Sequence, residues 1–317
     1  MKKEFLLCLF TLSILIISPF SFADNEPKPI YVGVVWVGQS SEADIRYHGL
    51  AKELKQLAPQ IKLEAKKEIS PNKLSTLVRK WEKTKSAVIF VRSITVKWLT
   101  THNTSLPVFI TLCNNPVYLG VLENLTAPEK NITGTTYYVP ILNQIQFFKT
   151  VLPEMNSILL LHETGHPSGI IDETETRNAC KELNLQYYDA PCATKEDLSN
   201  AIKQYRGKVS AIIIGNHALG LDLAKHIATE ARSTPVFSFL HRPVKYNGIL
   251  AVYTSDPQVL DHKLAQSVVD VLVNHKPINS IPVQMDDHPK GTINMTVAKK
   301  LGIKIPYDVL DSVNTIE

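Results

Sequence analysis

Short apolar runs alternate with amphipathic stretches along most of this chain, and the same order occurs twice. In the first half Val32-Gly33-Val34-Val35-Trp36 is followed by Ala87-Val88-Ile89-Phe90 and then by Pro107-Val108-Phe109. In the second half Ser157-Ile158-Leu159-Leu160-Leu161 is followed by Ala211-Ile212-Ile213-Ile214 and then by Pro235-Val236-Phe237. Short apolar runs spaced by longer helical patterns predict parallel strands buried on both faces. The repeated order predicts an α/β protein of two lobes with parallel sheets rather than one long sheet. A ligand cleft then lies between the lobes, where strand C-termini meet.

In lobe one the pattern places strands over 31–37, 61–65, 87–91 and 108–112, with helices over 41–57 and 71–83. Leu50, Leu54 and Leu57 recur at helical spacing, and Pro71 stands at a helix start, where its missing N–H loses no bond. Asn114-Asn115-Pro116 predicts a turn and a helix start. The chain is expected to cross near 131–136. Lobe two then reads as helices over 141–151, 170–183, 195–205 and 219–231, alternating with strands over 158–161, 185–188, 211–214 and 236–239. Gly248-Ile249-Leu250-Ala251-Val252-Tyr253 predicts a strand returning to lobe one, and Asp256-Pro257 starts the next helix. The resulting division is 24–136 with 250–280 for lobe one, and 137–249 with 281–317 for lobe two.

The N-terminus adds a location. Met1-Lys2-Lys3, an apolar run from Phe5 to Ile17 and Ser21-Phe22-Ala23 make a secretory signal peptide over 1–23, cleaved after Ala23. The run is short of the roughly 20 residues a membrane span needs. A periplasmic, monomeric protein is expected. The net charge of +4 over the whole chain is too small to argue for a nucleic-acid partner. Beyond the signal peptide stand Cys113, Cys180 and Cys192, an odd set that predicts buried free thiols rather than a disulfide framework.

Three motifs in a fixed order carry a family resemblance: Asn131-Ile132-Thr133-Gly134, Pro235-Val236-Phe237, and the tail from Ala298 to Pro306, which reads AKKLGIKIP. Together they resemble the bacterial ABC-transporter substrate-binding proteins that include tryptophan and tyrosine binders. The resemblance implies the type 1 periplasmic binding protein fold, two Rossmann-like lobes with parallel sheets joined by a hinge, which close on a small-molecule ligand and deliver it to a membrane permease. Where that family often has Thr-Asp-Pro, this chain has Asn114-Asn115-Pro116; where it often has Tyr-Asn-Pro-Ser, this chain has His162-Glu163-Thr164-Gly165; where it often has Asp-Asn-Thr, this chain has Asn216-His217-Ala218. A sensory protein presenting its closed form to a membrane receptor would use the same cleft.

Candidate ligand contacts follow from strand ends. Arg92 and Ser93 end a buried strand, where a guanidinium and helix N–H groups can hold a carboxylate. Asn114 and Asn115 can hydrogen-bond a ligand or cap a helix. Asn216 and His217 end the matching strand of lobe two and are expected to face Arg92 and Ser93. Trp36, Tyr138, Phe239 and His241 can stack on a ligand or serve the core. Gln39 and Ser40 follow the first strand, where capping alone explains a serine.

His162-Glu163-Thr164-Gly165-His166 matches H-E-x-x-H, a zinc-protease pattern that needs both histidines on one helical face. Here it follows a strand, contains Gly165 and runs into Pro167, which disfavours helix at His166. His162 and Glu163 are therefore read as a polar loop at the cleft edge, with no catalytic or metal role; a zinc hydrolase through His162, Glu163 and His166 is the third, less favoured alternative. No G-x-G-x-x-G follows a strand and no phosphate-binding G-x-x-x-x-G-K-[ST] occurs, so no cofactor is expected.

Overall fold

The computed structural model describes residues 27–128, 130–242, 244 and 248–317. The expected signal peptide over 1–23 and its expected cleavage after Ala23 lie outside the described residues.

The first sheet contains β1 (Ile30–Val37), β2 (Ile61–Ile69), β3 (Ala87–Val91), β4 (Val108–Cys113) and β5 (Ile132–Thr136). Its order is β2-β1-β3-β4-β5, and every pairing is parallel. Helices α1 (Ser41–Leu57), α2 (Pro71–Trp81) and the short α3 (Ser93–Val96) connect these strands. In the second sheet β6 (Ser157–Glu163), β7 (Gln186–Cys192), β8 (Ala211–Ile214) and β9 (Val236–Ser238) are followed by β10 (Ala251–Thr254), β11 (Lys290–Asn294) and β12 (Asn314–Ile316). The order is β12-β11-β10-β9-β8-β6-β7, parallel except between β10 and β11. Its helices are α4 (Ile141–Val151), α5 (Pro167–Glu182), α6 (Lys195–Tyr205), α7 (Ala218–Asp222) and α8 (Ala224–Ala231). Helix α9 (Pro257–Leu272) precedes β11, and α10 (Met295–Leu301) and α11 (Tyr307–Leu310) follow it.

Successive strand residues point to opposite faces, so each sheet supports two apolar layers. Val32, Val34 and Trp36 join one cluster with Leu50 and Leu54 of α1, while Val35 and Val37 join another with Leu74 and Val78 of α2. In lobe two Ile158 and Leu160 pack with Phe148 of α4, and Leu159 and Leu161 with Leu198 and Ile202 of α6. Every one of these strand residues except Val37 is fully buried. Such side chains each contribute roughly 1.5–3 kcal/mol of transfer free energy, which explains the continuous apolar runs.

The connections between lobes differ from the expected ones. Residues 248–253 do not return to lobe one; β10 pairs with β9 and β11 inside the second sheet, and Val252 is fully buried there. An apolar run reads the same for either sheet, so periodicity could not choose. The return comes at Ser255, after which α9 packs on α1 through Leu264 and Val268. Residues 281–284 stay with lobe one: Thr133 Oγ1 donates to the Ile281 carbonyl at 2.7 Å, and Val283 is buried in the first-lobe core. Three crossing segments therefore lie side by side. Thr136 N donates to the Gln284 carbonyl, Ser255 Oγ to the Tyr137 carbonyl and Asp256 N to Asp286 Oδ2.

Smaller departures have local causes. After Asn114 the chain forms turns rather than a helix, with Asn115 at φ 22° and its Oδ1 accepting from Tyr118 N. The helical pattern over 219–231 breaks at Leu223 into α7 and α8. Strands β2 and β7 run longer than their apolar cores because both are sheet edges, where Lys66, Lys67 and Pro191 are tolerated.

Candidate functional site

The C-terminal ends of both sheets converge on a cavity of about 230 Å³. Lobe one supplies Glu42, Ile45 and Arg46 from the first turns of α1, Thr111, Leu112 and Asn114 from the end of β4, and Pro257 and Leu260 from α9. Lobe two supplies Val139, Ile141 and Gln144 around the start of α4, Asn216 and Leu221 after β8, Phe239 to Arg242 after β9, and Tyr253 and Thr254 of β10. Tyr137, Tyr138 and Ser255 lie on the crossing segments. The wall is chiefly aromatic and aliphatic, with a few polar groups facing in.

Those polar groups fall into two kinds. Some are held by neighbours. Tyr138 OH donates to both oxygens of Glu175 at 2.9 Å, Arg46 Nη1 to Asp261 Oδ2 at 2.9 Å, and Arg242 Nη1 to Ser41 Oγ at 2.8 Å across the lobes. Others are unpartnered although buried: Asn114 Nδ2, on a residue only 2% exposed, and Gln144 Oε1, on one 3% exposed. Leaving a buried polar atom without a partner costs about 1–3 kcal/mol. The two atoms belong to residues on opposite walls of the one cavity.

The structure brings Asn114, Tyr138, Asn216, Phe239 and His241 together at this cavity. It places the other expected residues elsewhere. Trp36 is fully buried in the lobe-one core, because its place in the strand alternation puts it with Val32 and Val34 on the sheet face that α1 covers. Ser40 caps α1, accepting from Ala43 N, and Gln39 is exposed and bonds Arg92 through its carbonyl. Arg92 does not face the cavity; its Nη1 donates to the Val37 carbonyl at 2.6 Å and the Gln39 carbonyl at 3.2 Å. Burial lowers its pKa, opposed by Glu163 across the lobes. Ser93 accepts from Asn114 N and meets Ser168 of lobe two at 3.5 Å, rather than Asn216. Asn115 is held in its turn by Tyr118 N.

The H-E-x-x-H residues are not on one helical face. His162 and Glu163 end β6, and His166 is the extended N-cap of α5, its Nδ1 accepting from Ser168 N. His162 Nε2 lies 3.4 Å from Asp189, and burial raises the Glu163 carboxyl. Among the described residues no group of His, Cys, Asp and Glu has the arrangement to hold a metal ion. Cys113, Cys180 and Cys192 are free and buried.

A family comparison decides what this architecture is. The model of the ABC transporter substrate binding protein family matches residues 32–316. The chain belongs to that family. A tyrosine-binding protein of Clostridioides difficile strain R20291 is 23% identical over 202 residues, spanning 63% of this chain and 58% of that relative's length. A conserved domain protein of Vibrio cholerae superposes with a TM-score of 0.81 at 21% identity, over 92% of this chain and 100% of that one. A Streptococcus pneumoniae ABC domain in complex with L-Trp gives 0.80 at 19% identity, over 92% and 100% of the two chains. Both superpositions confirm the two-lobed α/β fold. No helix among the described residues of this substrate-binding protein is long and apolar enough to cross a membrane.

Sequence reasoning missed Arg46, Gln144, Asp172 and Glu175. Asp172 left a readable trace, since it shares a helical stripe with Ser168, Thr176 and Ala179, all buried. A carboxylate in a buried stripe is held by something specific. Here Asn216 supplies both bonds, from its backbone N at 2.6 Å and its Nδ2 at 2.7 Å. Burial pushes Asp172 up to about 7, against the lowering effect of those bonds.

His217 serves structure in this substrate-binding protein. Its Nδ1 accepts from Gly220 N at 3.0 Å to cap α7, and its Nε2 donates to the Leu161 carbonyl at 3.1 Å, so the ring is neutral. Burial pushes its pKa down to about 4. A depressed base contributes stability that is present above its unfolded pKa near 6.5 and is lost as pH falls toward 4. His217→Asn keeps a capping oxygen but cannot charge. From pH 7 to pH 4 the wild type is expected to lose about 3 kcal/mol more than this variant, read by urea unfolding. Parallel pH profiles would show that His217 does not titrate in this way.

Proposed function

We propose that this protein is the extracytoplasmic binding component of an ABC importer, exported through cleavage of its signal segment, and that it works as a monomer. It binds a small amino-acid-like solute with an aromatic or apolar side chain and hands it to a membrane permease. The observation that carries the ligand class is the cavity itself. At about 230 Å³ it lies below the roughly 300–1,000 Å³ of pockets for drug-sized molecules, so its occupant is small. Its walls are apolar, and its unpartnered amide groups sit on opposite lobes. The relatives described as a tyrosine-binding protein and as a complex with L-Trp agree with that class.

Function then follows from closure. Only the closed arrangement lets one ligand touch Asn114 of lobe one and Gln144 of lobe two, so the ligand favours it by differential binding. The permease reads the closed form. No step in this cycle makes or breaks a covalent bond.

The test is to identify by mass spectrometry the small molecule released on denaturation, then to titrate it calorimetrically into variants. Asn114→Ala is expected to weaken binding by about 1–3 kcal/mol, with the exposed Lys208→Ala as control. Equal affinities in both variants would place the ligand outside this cavity.

A further inference from the structure

Two amides in the lobe-two wall are committed in the same sense. Gln144 Nε2 donates to the Val139 carbonyl at 2.9 Å, and that partner can only accept. The Gln144 oxygen is therefore the atom left over, and it is buried without a partner. Asn216 donates twice to Asp172, one bond to each carboxylate oxygen, through its backbone N and its Nδ2. Its Nδ2 is thereby tied to Asp172, and Oδ1 is the amide acceptor left for the cavity that Asn216 lines. Asp172 itself is fully buried on α5, behind that wall.

We propose that Asp172 is a positioning residue that fixes the Asn216 amide with its oxygen toward the cleft, so that lobe two presents two carbonyl acceptors and selects a ligand bearing an N–H donor group. The proposal rests on the cavity being the ligand site. The selected donor is a primary amine or ammonium beside an apolar body. The matching acceptor end of the ligand meets Asn114 Nδ2 on lobe one. Glu175, on the next turn of α5, does a parallel service by holding Tyr138 OH. One helix thus orients two wall residues without touching the ligand.

Replacing Asp172 by asparagine changes the sense of one bond while keeping size. The asparagine oxygen still accepts from Asn216 N, but its NH₂ now faces the Asn216 side chain. The Asn216 amide is forced to turn over and to present NH₂ to the cleft. The experiment compares L-tryptophan with indole-3-propanoate, which has the same ring and carboxylate but no amine. Wild type is expected to bind L-tryptophan about tenfold or more tighter, in line with a hydrogen bond to a charged group. In Asp172→Asn the ratio is expected to fall to within about threefold, because the acceptor has become a donor.

A second readout needs no ligand. Nuclear magnetic resonance of the free protein is expected to show slowly exchanging Asn216 side-chain NH₂ protons in wild type and fast exchange in Asp172→Asn. Equal exchange in the two proteins, or fast exchange in wild type, overturns the proposal. So does equal binding of the two indole probes by wild type. If wild type binds neither probe, the ligand class proposed above fails for tryptophan, while the exchange measurement still decides the role of Asp172. If Asp172→Asn does not fold, Gln144→Met removes the second acceptor without touching Asp172. It is expected to cut the amine preference likewise, and an unchanged preference overturns the acceptor pair.

Discussion

Gly134→Ala is expected to destabilise the protein by about 3 kcal/mol or more, measured by urea unfolding at pH 7. Two independent costs act at this one position. Its φ of +133° belongs to a region that side-chain-bearing residues rarely adopt. A Cβ would also lie 2.1 Å from the Ile110 carbonyl oxygen and 2.5 Å from the Ile110 nitrogen. Both are backbone atoms of β4, and Ile110 is the register partner of Gly134 in the sheet. Nor can the strand retreat the other way, since the Gly134 carbonyl accepts from Gln284 N at 2.8 Å. Gly165→Ala is the control. It also has positive φ, at +75°, but nothing lies within 4 Å of its Cβ, so only the backbone cost of about 1–2 kcal/mol remains. Similar losses in the two variants would mean that the close approach at Gly134 contributes nothing.

Gly134 also shows how far the sequence could be read. The motif Asn131-Ile132-Thr133-Gly134 marked a boundary, and the structure supplies its physical content: an edge strand pressed between β4 and a returning segment, just before the chain changes lobe. Buried parallel strands announce themselves because both faces are apolar, so β1, β3, β4, β6 and β8 were legible to within a residue or two. What periodicity could not give was the sheet to which a run belongs. Residues 251–254 satisfy either sheet, and only their pairing with β9 on one side and the antiparallel β11 on the other assigns them.

The site was legible where a residue follows a strand directly and is polar. Asn114 directly after β4 met that description, Asn216 came within two residues of β8, and both line the cavity. Arg92 met it too, yet its side chain folds back to the carbonyls of Val37 and Gln39. The difference lies in reach. A long guanidinium at φ 78° can turn onto the neighbouring strand end, whereas a short amide stays where its backbone aims it. Gln144 and Arg46 were invisible for the opposite reason. Each lies one or two turns inside a helix, and only the packing of that helix across strand ends brings it to the cleft.

Arg46→Ala is expected to lose about 3–5 kcal/mol at pH 9 and distinctly less at pH 6. Arg46 joins α1 to α9 through Asp261, at 2.9 Å, with side chains only 14% and 6% exposed. Glu42 approaches the same guanidinium at 3.3 Å. Room for the pair exists because residue 49 is glycine, whose missing Cβ would lie 2.0 Å from Asp261 Oδ2. Burial pushes Asp261 up to about 7, and Arg46 is the leading influence opposing that rise. A carboxyl whose folded pKa is raised makes the folded state hold its proton where the unfolded chain has released it. Stability from that group therefore falls as pH climbs from about 4 through the folded pKa. Without Arg46 the folded pKa climbs further, so the loss continues to higher pH and the variant separates from wild type above neutrality. Near pH 6 the variant keeps Asp261 protonated, and only lost packing of the arginine stem remains. Adding Asp261→Asn removes the titrating group, so the double variant is expected to regain most of the loss at pH 9. Urea unfolding of the three proteins at pH 6 and pH 9 measures this directly. A penalty for Arg46→Ala that is the same at both values would show that the ion pair does not govern the joint between α1 and α9, and that the cleft wall they form is held by apolar packing alone.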